Sequence, residues 1–475
     1  MKRQSYSLLQ QRIWRWHFFA GLMVLPFAMV LAITGGIYLF KPQFNAYFER
    51  YIDRQADTSS GEKLSEDALV ASVLSTYTGA KFKRYTLPEN GSAAVKIEID
   101  YQNDRLVTWV NQFNGEVLHE SPRGQRFMNL MSRIHGELLV GRRGSYLVEF
   151  MASWMIILII SGVFLWWPRA QEISHSPGAA IKRALGPPSA PIKKRNFWYH
   201  LHGVTGLWIS GFVLLLLLSG LPWTKVWGGL FQQIQSYMSW GGPGQEWNIT
   251  LTSQDPHEHH KQTSNKDDGI DLWQLSNDED IKVTLKSNAE NNTDTASVLL
   301  SDIVLKIRDF DLHPPIEIHP PRGENGVWTV RSMTPNRPLR QTHHFDRWSG
   351  EKIMSIVFTD YHPVKRLASY GIAFHEGVLF GWLNQLLGLI ATLGVILLSI
   401  TGFYMWWKRR PEGKLAAPGI PSGKHIPAWV VITILGFALF LPLFALSLAI
   451  ILLFEFSLSL FNSRIMPQLK IDKGE

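Results

Sequence analysis

Two histidines in this chain are each followed by the same pattern of glycines and tryptophans. Two glycines and a tryptophan doublet stand at offsets of 6, 27, 31 and 32 residues, which are Gly141, Gly162 and Trp166-Trp167 after His135, and Gly381, Gly402 and Trp406-Trp407 after His375. Imidazole is the side chain best suited to ligate a metal or to carry a proton near neutral pH. The repeated spacing indicates an internal duplication that carries the same chemistry in both halves.

A second pair of histidines shows a shorter repeated pattern. Glycines follow at offsets of 4 and 18, as Gly21 and Gly35 after His17 and as Gly206 and Gly220 after His202. Since 18 residues make five helical turns, each histidine shares one helical face with its glycines. One interpretation is that the glycines leave room for a flat, bulky ligand of the histidine. The other is a helix contact through small residues, but the occurrence in both halves favours the ligand.

His200 is the alternative to His202, because it lies in the same segment. Two residues apart on a helix, the two side chains point about 160° away from each other. The repeat aligns His202 with His17 and therefore favours His202.

Four apolar runs are long enough to cross a bilayer, whose hydrocarbon core of about 30 Å needs roughly 20 helical residues. They cover residues 16–40, 145–167, 198–223 and 378–407. A fifth run, 427–461, is interrupted by Pro442 and is either one span with an interfacial extension or a hairpin. The sequence thus predicts an α-helical integral membrane protein with about five transmembrane helices in the lipid bilayer. The tryptophan doublets are predicted to belong to its aromatic belt.

Basic residues cluster in alternate connecting segments. The loop at 168–197 carries six Lys and Arg residues against one acid, and the N-terminus and the segment 408–426 are similarly basic. Such segments stay on the cytoplasmic side of a membrane. This predicts a multi-pass protein of a bacterial inner membrane with its N-terminus in the cytoplasm. Because topology accounts for much of the net charge of +8, we expect no nucleic-acid partner.

The two long segments between spans are each predicted to form a small α+β domain on the outer side. The predicted elements are a helix near 62–77 and strands at 81–87, 93–101, 105–112, 327–331 and 342–345. A turn from Asn111 to Glu116 is repeated from Asp346 to Glu351, which indicates that the two domains are copies. Residues 241–296 are polar and irregular, as is typical of an insertion loop.

These patterns divide the chain into consecutive segments. They are the cytoplasmic N-terminus and first span (1–40), the first outer domain (41–134), a histidine segment and second span (135–167), a cytoplasmic loop (168–197), the third span (198–223), the second outer domain with its insertion (224–374), a histidine segment and fourth span (375–407), a second cytoplasmic loop (408–426), and a C-terminal span and tail (427–475).

The four histidines fall at two depths of the predicted membrane. His17 and His202 begin their spans at the cytoplasmic side, whereas His135 and His375 precede the outer ends of theirs. A straight helix from His135 to its tryptophan doublet would be about 48 Å long. These two histidines therefore lie at or just above the outer interface, or their helices bend, in the first half near Gly141 and Gly144.

Two bis-histidine sites at opposite depths are typical of a carrier with two b-type haems, because haem iron accepts two axial imidazoles. Zinc would need three or four ligands at each site. The chain has no cysteine, which excludes thiolate-held iron–sulfur clusters and thiolate-bound haem.

The electron donor is expected to be separate from this chain. The sequence has no G-x-G-x-x-G motif, and its cytoplasmic loops of about 30 and 20 residues are too short for a Rossmann domain. We expect electrons from a cytoplasmic reductase or from membrane quinol.

The chain resembles the PepSY-associated transmembrane-helix family of bacterial inner-membrane proteins. The matching marks are Trp16-His17-Phe-Phe-Ala-Gly21, His202-Gly-Val-Thr-Gly206, His135-Gly-Glu-Leu-Leu and Thr401-Gly402-x-x-x-Trp406-Trp407, together with the two repeated turns, which resemble the end of a PepSY domain. The resemblance extends through residue 460. It implies two PepSY-like periplasmic domains and a likeness to haem-containing reductases that release iron from siderophores.

The sequence therefore predicts a transmembrane ferric-siderophore reductase. Electrons would pass from a haem at His17 and His202 to a haem at His135 and His375, and then to a ferric siderophore or chelate. One alternative is a non-enzymatic membrane protein whose PepSY domains bind a protease or another envelope protein. Another is a carrier that supplies electrons to a periplasmic redox protein. The insertion at 241–296 and the C-terminal apolar segment depart from the family pattern, and both bear on the substrate.

Overall fold

The structure is a computed structural model that describes residues 8–59, 61–89, 92–172, 176–188, 191–192, 194–240, 253, 297–323, 325–410 and 426–471. The predicted insertion at 241–296 lies outside these residues, apart from Ser253. The helices are α1 (Leu8–Tyr38), α2 (Lys41–Asp53), α3 (Glu66–Thr76), α4 (Phe127–Glu137), α5 (Arg142–Glu172), α6 (Pro177–Leu185), α7 (Arg195–Gly220), α8 (Trp227–Tyr237), α9 (Leu300–Ile307), α10 (Pro363–His375), α11 (Trp382–Arg409), α12 (Ala428–Phe440) and α13 (Pro442–Ile471). The strands are β1 (Lys81–Leu87), β2 (Ala94–Tyr101), β3 (Asp104–Asn111), β4 (Val117–Pro122), β5 (Ile316–His319), β6 (Trp328–Ser332), β7 (Gln341–Phe345) and β8 (Lys352–Val357).

Four helices, α1, α5, α7 and α11, are long and apolar enough to cross a membrane. They coincide with the four predicted spans. The fifth apolar run is divided between α12 and α13, which are separated by Leu441. The division follows from Pro442, which has no N–H to donate and cannot continue a preceding helix. In the described ranges the long spans thus number four, where the sequence predicts about five.

The chain forms two compact units. The helical unit comprises residues 1–34, 134–231 and 390–475, and the sheet unit comprises residues 35–133 and 232–389. Apolar side chains join the helices of the helical unit in two clusters. One contains Ala32, Ile209, Val213, Ala391 and Val395, and the other contains Ile156, Leu221, Leu441 and Phe444.

The sheet unit contains one antiparallel sheet of eight strands in the order β4-β3-β2-β1-β5-β6-β7-β8. The two halves of the chain join where β1 pairs with β5, with Tyr85 opposite Ile318. The sequence predicts two outer domains, and in the described residues the strands of both segments form one composite sheet. Pairing β1 with β5 satisfies backbone groups that would otherwise be exposed at the edges of two four-stranded sheets.

A single apolar core lies between this sheet and helices α3 and α9. Tyr85, Ile97 and Val330 from the strands contact residues such as Val73 of α3 and Ile303 of α9. The α3 residue Asp67 also accepts hydrogen bonds from the backbone N–H groups of Leu300 and Ser301 at 3.0 and 2.9 Å. A carboxylate there satisfies donors that an α-helix leaves unpaired in its first turn. Each half therefore stabilises the other.

The repeated turns have the same hydrogen bonds in both halves. The N–H of Asn111 donates to the carbonyl of Glu116 at 2.8 Å, and the N–H of Asp346 donates to that of Glu351, also at 2.8 Å. Gly115 and Gly350 have φ angles of +75° and +64°, a region that favours glycine. Glycine therefore recurs at this position of the turn because the backbone there has a positive φ angle.

A buried ionic cluster lies at the junction of the two halves. Arg84 on β1 pairs with Glu98 on β2 and, at 2.6 Å, with Glu317 on β5. Burial favours the neutral form of Glu317, but the charge of Arg84 outweighs it and holds the pKa of Glu317 well below its usual range. Burial lowers the pKa of the neighbouring His319 to about 4. Because both groups bind fewer protons in the folded state, stability falls as the pH falls.

We expect Arg84→Met to destabilise the sheet by about 3–5 kcal/mol at neutral pH, because it leaves the buried Glu317 carboxylate without its main counter-charge. The difference from wild type should shrink below pH ~4.3, where glutamate is protonated in the unfolded chain. Hydrogen exchange of β1 and β5 measures this effect. Lys83→Met is the control, because the ion pair of Lys83 with Asp100 is partly exposed and should contribute less than about 1 kcal/mol. Equal protection in the two variants would contradict the prediction.

Candidate functional site

His17 lies on α1 beside the helix α5 of the same half. Its Nδ1 is 2.9 Å from the hydroxyl oxygen of Ser161. The next residue is Gly162, where an added Cβ would lie only 3.2 Å from Cε1 of His17. The imidazole therefore packs directly on the α5 backbone at a position without a side chain.

His202 has the equivalent environment between α7 and α11. Its Nδ1 is 2.8 Å from the hydroxyl oxygen of Thr401. The following residue is Gly402, where an added Cβ would lie 3.5 Å from Cε1 of His202. A hydroxyl residue followed by glycine thus holds the imidazole in both halves.

The hydroxyl groups determine which ring nitrogen carries the proton. Ser161 donates its hydroxyl proton to the carbonyl of Leu158 at 3.1 Å, and Thr401 donates to the carbonyl of Leu397 at 2.8 Å. Each hydroxyl has one proton, so it accepts from the neighbouring Nδ1–H. The neutral imidazoles of His17 and His202 therefore carry their lone pairs on Nε2, as a metal-ligating histidine requires.

Within the described ranges, no group of three or more His, Cys, Asp or Glu side chains is arranged to hold a metal ion. His17 and His202 instead offer two oriented imidazoles, each fixed through Nδ1. This donor set fits the two axial positions of a haem iron.

His200 has a different role from His202. Its Nε2 lies 2.8 Å from the carbonyl oxygen of Arg183, which belongs to α6. Its ring also contacts that of Trp166, at 5.4 Å between centroids. His200 therefore joins α7 to α6 and does not share the surroundings of His202.

The glycines on the histidine faces contact neighbouring helices. An added Cβ at Gly21 would lie 3.8 Å from the side chain of Leu158, and one at Gly206 would lie 3.7 Å from that of Leu398. These are ordinary van der Waals distances. At these two positions the structure supports the helix-contact interpretation, and the close approach to the histidines occurs at Gly162 and Gly402 instead.

His135 is the third of the four candidate histidines whose Nδ1 has a hydrogen-bond partner in the described residues. It lies in α4, and its Nδ1 is 2.9 Å from the carbonyl oxygen of Leu31 on α1. The hydroxyl of Thr34 is 3.4 Å from the same nitrogen. A carbonyl only accepts hydrogen bonds, so the proton lies on Nδ1 and the lone pair lies on Nε2.

His135 and His375 precede the spans on separate helices. His135 lies in α4, which ends at Glu137 before α5 begins at Arg142, and His375 ends α10 before α11 begins at Trp382. Gly141 and Gly381 have φ angles of +61° and +59° within these breaks. Of the two predicted alternatives for the first half, the structure has the break near Gly141. His135 belongs to the helical unit and His375 to the sheet unit.

The residue after His375 takes part in an ion pair of the sheet unit. Glu376 is 3.1 Å from a guanidinium nitrogen of Arg337. Burial favours the neutral acid, but the charges of Arg337, Lys41 and Arg340 outweigh it and lower the pKa of Glu376. This ion pair fixes the end of α10, where His375 lies.

Sequence reasoning missed the residues that orient the histidines. Ser161 and Thr401 stand 26 residues after His135 and His375, and Thr34 stands 17 residues after His17. The repeat therefore contains hydroxyl residues at matching positions in both halves. Extending the comparison from glycine to hydroxyl side chains would have found them.

The family described as the PepSY-associated TM region matches residues 14–409 of the chain. The chain belongs to this family. Among curated proteins none matches it. The segment matched by the PepSY-associated TM region contains all four candidate histidines together with Ser161 and Thr401, and it ends before α12. The family membership agrees with a multi-pass membrane protein that carries a PepSY-like sheet.

The packing beside His202 generates a prediction for two nearby glycines. An added Cβ at Gly203 would lie 2.2 Å from the ring of Trp166, which is buried at 7% exposure although the sequence predicts a place in the aromatic belt. Gly203→Ala should therefore destabilise the protein by roughly 1–3 kcal/mol through overpacking. Gly206→Ala is the control and should be neutral or slightly stabilising, since alanine favours the helix. The thermal unfolding midpoints of the two variants are compared in one detergent. Equal midpoints would contradict the predicted overpacking against Trp166.

Proposed function

We propose that this protein is a transmembrane oxidoreductase that binds two b-type haems and passes electrons across the bilayer to a ferric siderophore or another ferric chelate. The observation that carries the proposal is the repeated environment of His17 and His202. In each case a hydroxyl from the neighbouring helix accepts the Nδ1 proton. Two such imidazoles, each with its lone pair on Nε2, would suit a haem iron, which accepts two histidine ligands.

The chain's own residues would prepare this site before any ligand enters. Ser161 and Thr401 hold the ring orientation and keep the lone pair of each histidine on Nε2. Gly162 and Gly402 allow the rings to lie against the helix backbone. When bound, haem supplies one-electron chemistry between ferric and ferrous iron. The surrounding spans would exclude water from it.

The second site in this proposal uses His135 and His375. The bond from Nδ1 of His135 to the carbonyl of Leu31 supports a ligand role, because ligating histidines donate their other ring N–H to such acceptors. His375 is the repeat counterpart of His135 and is proposed as the second ligand. We place this pair on the periplasmic side of a bacterial inner membrane, with the N-terminus in the cytoplasm.

The proposed electron donor and electron acceptor follow from this direction of electron transfer. Electrons would enter near His17 and His202 from a cytoplasmic reductase or from membrane quinol. They would leave near His135 and His375, reducing ferric iron to ferrous iron. Ferrous iron binds hard oxygen ligands more weakly, so the chelate would release it. The protein would contribute position and redox potential.

Haem content tests the proposal directly. The purified protein should show the Soret and α bands of low-spin b-type haem. His17→Ala and His202→Ala should each remove about half of the haem, because they lose the same one of two sites. His200→Ala is the matched control and should keep both haems, since its Nε2 is engaged by the carbonyl of Arg183. A colourless wild type expressed with ample haem would refute the proposal and favour a PepSY binding protein.

The proposed electron acceptor, a ferric siderophore, is tested with protein reconstituted in liposomes. After reduction by dithionite, an external membrane-impermeant ferric siderophore should reoxidise the haem. His375→Ala should keep a reducible haem at the His17 site but lose fast reoxidation. If His375→Ala reoxidises at the wild-type rate, the proposed exit is wrong. If only a protein partner oxidises the wild type, the protein supplies electrons to a redox protein instead.

A further inference from the structure

The sheet unit contains a pocket of about 200 Å³ between α2 and the junction of β4 with α4. Its lining combines two basic side chains with three phenylalanine rings: Lys41, Arg126, Phe44, Phe48 and Phe127, joined by Asn45, Ser121, Gln125, Met128 and Asn129. None of these residues belongs to the proposed haem sites. A pocket that combines positive charge with aromatic surface suits an amphiphilic anion.

The helices on both sides of this pocket are close in sequence to membrane spans. α2 begins at Lys41, three residues after α1 ends at Tyr38, and α4 ends at Glu137, five residues before α5 begins at Arg142. Such short connections keep the start of α2 close to the end of α1, and the end of α4 close to the start of α5. Lys41, which lines the pocket, is thus the third residue after the end of a span.

The two basic side chains have no ion pair within the described part of the chain. Lys41 donates to the hydroxyl of Tyr38 at 2.9 Å, and the guanidinium of Arg126 lies 5.4 Å from the ring centroid of Trp109. Acids that interact with them at longer range already have partners. These are Glu49 with Lys96, Glu98 with Arg84 and Glu376 with Arg337. The charge in the pocket is thus open to an external anion.

An exposed aromatic stripe runs from the pocket along α2. Phe40, Phe44, Tyr47 and Tyr51 follow at helical spacings of 4, 3 and 4 residues and are 40%, 39%, 76% and 58% exposed. The ring of Phe44 contacts that of Phe127, with 5.3 Å between centroids. Aromatic side chains on one helical face beside a span are typical of the membrane interface.

We propose that this pocket binds an anionic phospholipid of the bilayer. The phosphodiester would lie against Lys41 and Arg126, where charge-assisted hydrogen bonds are available. An acyl chain would follow the aromatic stripe from Phe44 and Phe127 towards the hydrocarbon core. This inference is independent of haem binding and of the proposed electron transfer.

Native mass spectrometry of the full-length protein tests the inference. The probes are palmitoyl-oleoyl phosphatidylglycerol and the phosphatidylcholine of equal chain length, with inorganic phosphate as a third arm. Wild type should retain phosphatidylglycerol in preference to phosphatidylcholine. Phosphate alone should not compete, because it lacks the acyl chain. The double variant Lys41→Gln/Arg126→Gln should lose affinity for phosphatidylglycerol by about thirtyfold, since each basic residue near an anionic surface contributes about fivefold.

Matched variants separate this site from general charge attraction. Lys83→Gln/Arg105→Gln removes the same two charge types from ion pairs with Asp100 and should leave lipid retention unchanged. Lys41→Arg/Arg126→Lys keeps the charges and should keep binding. If the double glutamine variant does not fold, Lys41→Gln and Arg126→Gln are tested singly, each with about a fivefold expected loss. Equal retention of the two lipids by wild type would overturn the inference. So would competition by phosphate alone, or equal losses in the control variant.

Discussion

A histidine inside an apolar helical bundle needs an acceptor for its ring N–H, because an unpaired polar group in such surroundings is costly. In this protein the acceptor comes from another helix each time that it is defined: Ser161 for His17, Thr401 for His202 and the Leu31 carbonyl for His135. The bond therefore does two things. It joins two helices, and it decides which ring nitrogen keeps its lone pair.

The same pairing recurs because the chain is duplicated. α1 with α5 and α7 with α11 place a histidine against a hydroxyl residue that is followed by glycine. In the sheet unit the duplication has a different outcome. The two copies do not remain separate, because β1 pairs with β5 and the Asp67 carboxylate caps α9 of the other half. Duplication in the spans thus repeats a histidine environment, whereas duplication in the sheet produces an apolar core that both halves share.

Prediction from sequence succeeded where a pattern is local. The length of the apolar runs predicted the spans, and alternating apolar residues predicted the strands β1, β2, β3, β6 and β7. The glycines predicted the repeated turns. It missed β5, which has only four residues, and β4 and β8, which lie at the sheet edges. It also assigned Trp166 to the interface. The structure buries this ring against Gly203, where its Nε1 donates to the Ala184 carbonyl at 3.1 Å.

The sequence by itself determined the duplication, the four long spans and the four histidines as candidates, because spacing and hydropathy are written along the chain. It also favoured His202 over His200 through the repeat alone. Only the tertiary structure decided which groups touch the imidazoles, that Gly21 faces a leucine while Gly162 faces His17, and that the two long segments between spans share one sheet. These features depend on contacts between residues more than 100 positions apart, such as His17 with Ser161. No local pattern encodes the direction in which a side chain meets a distant helix, so packing alone settles it.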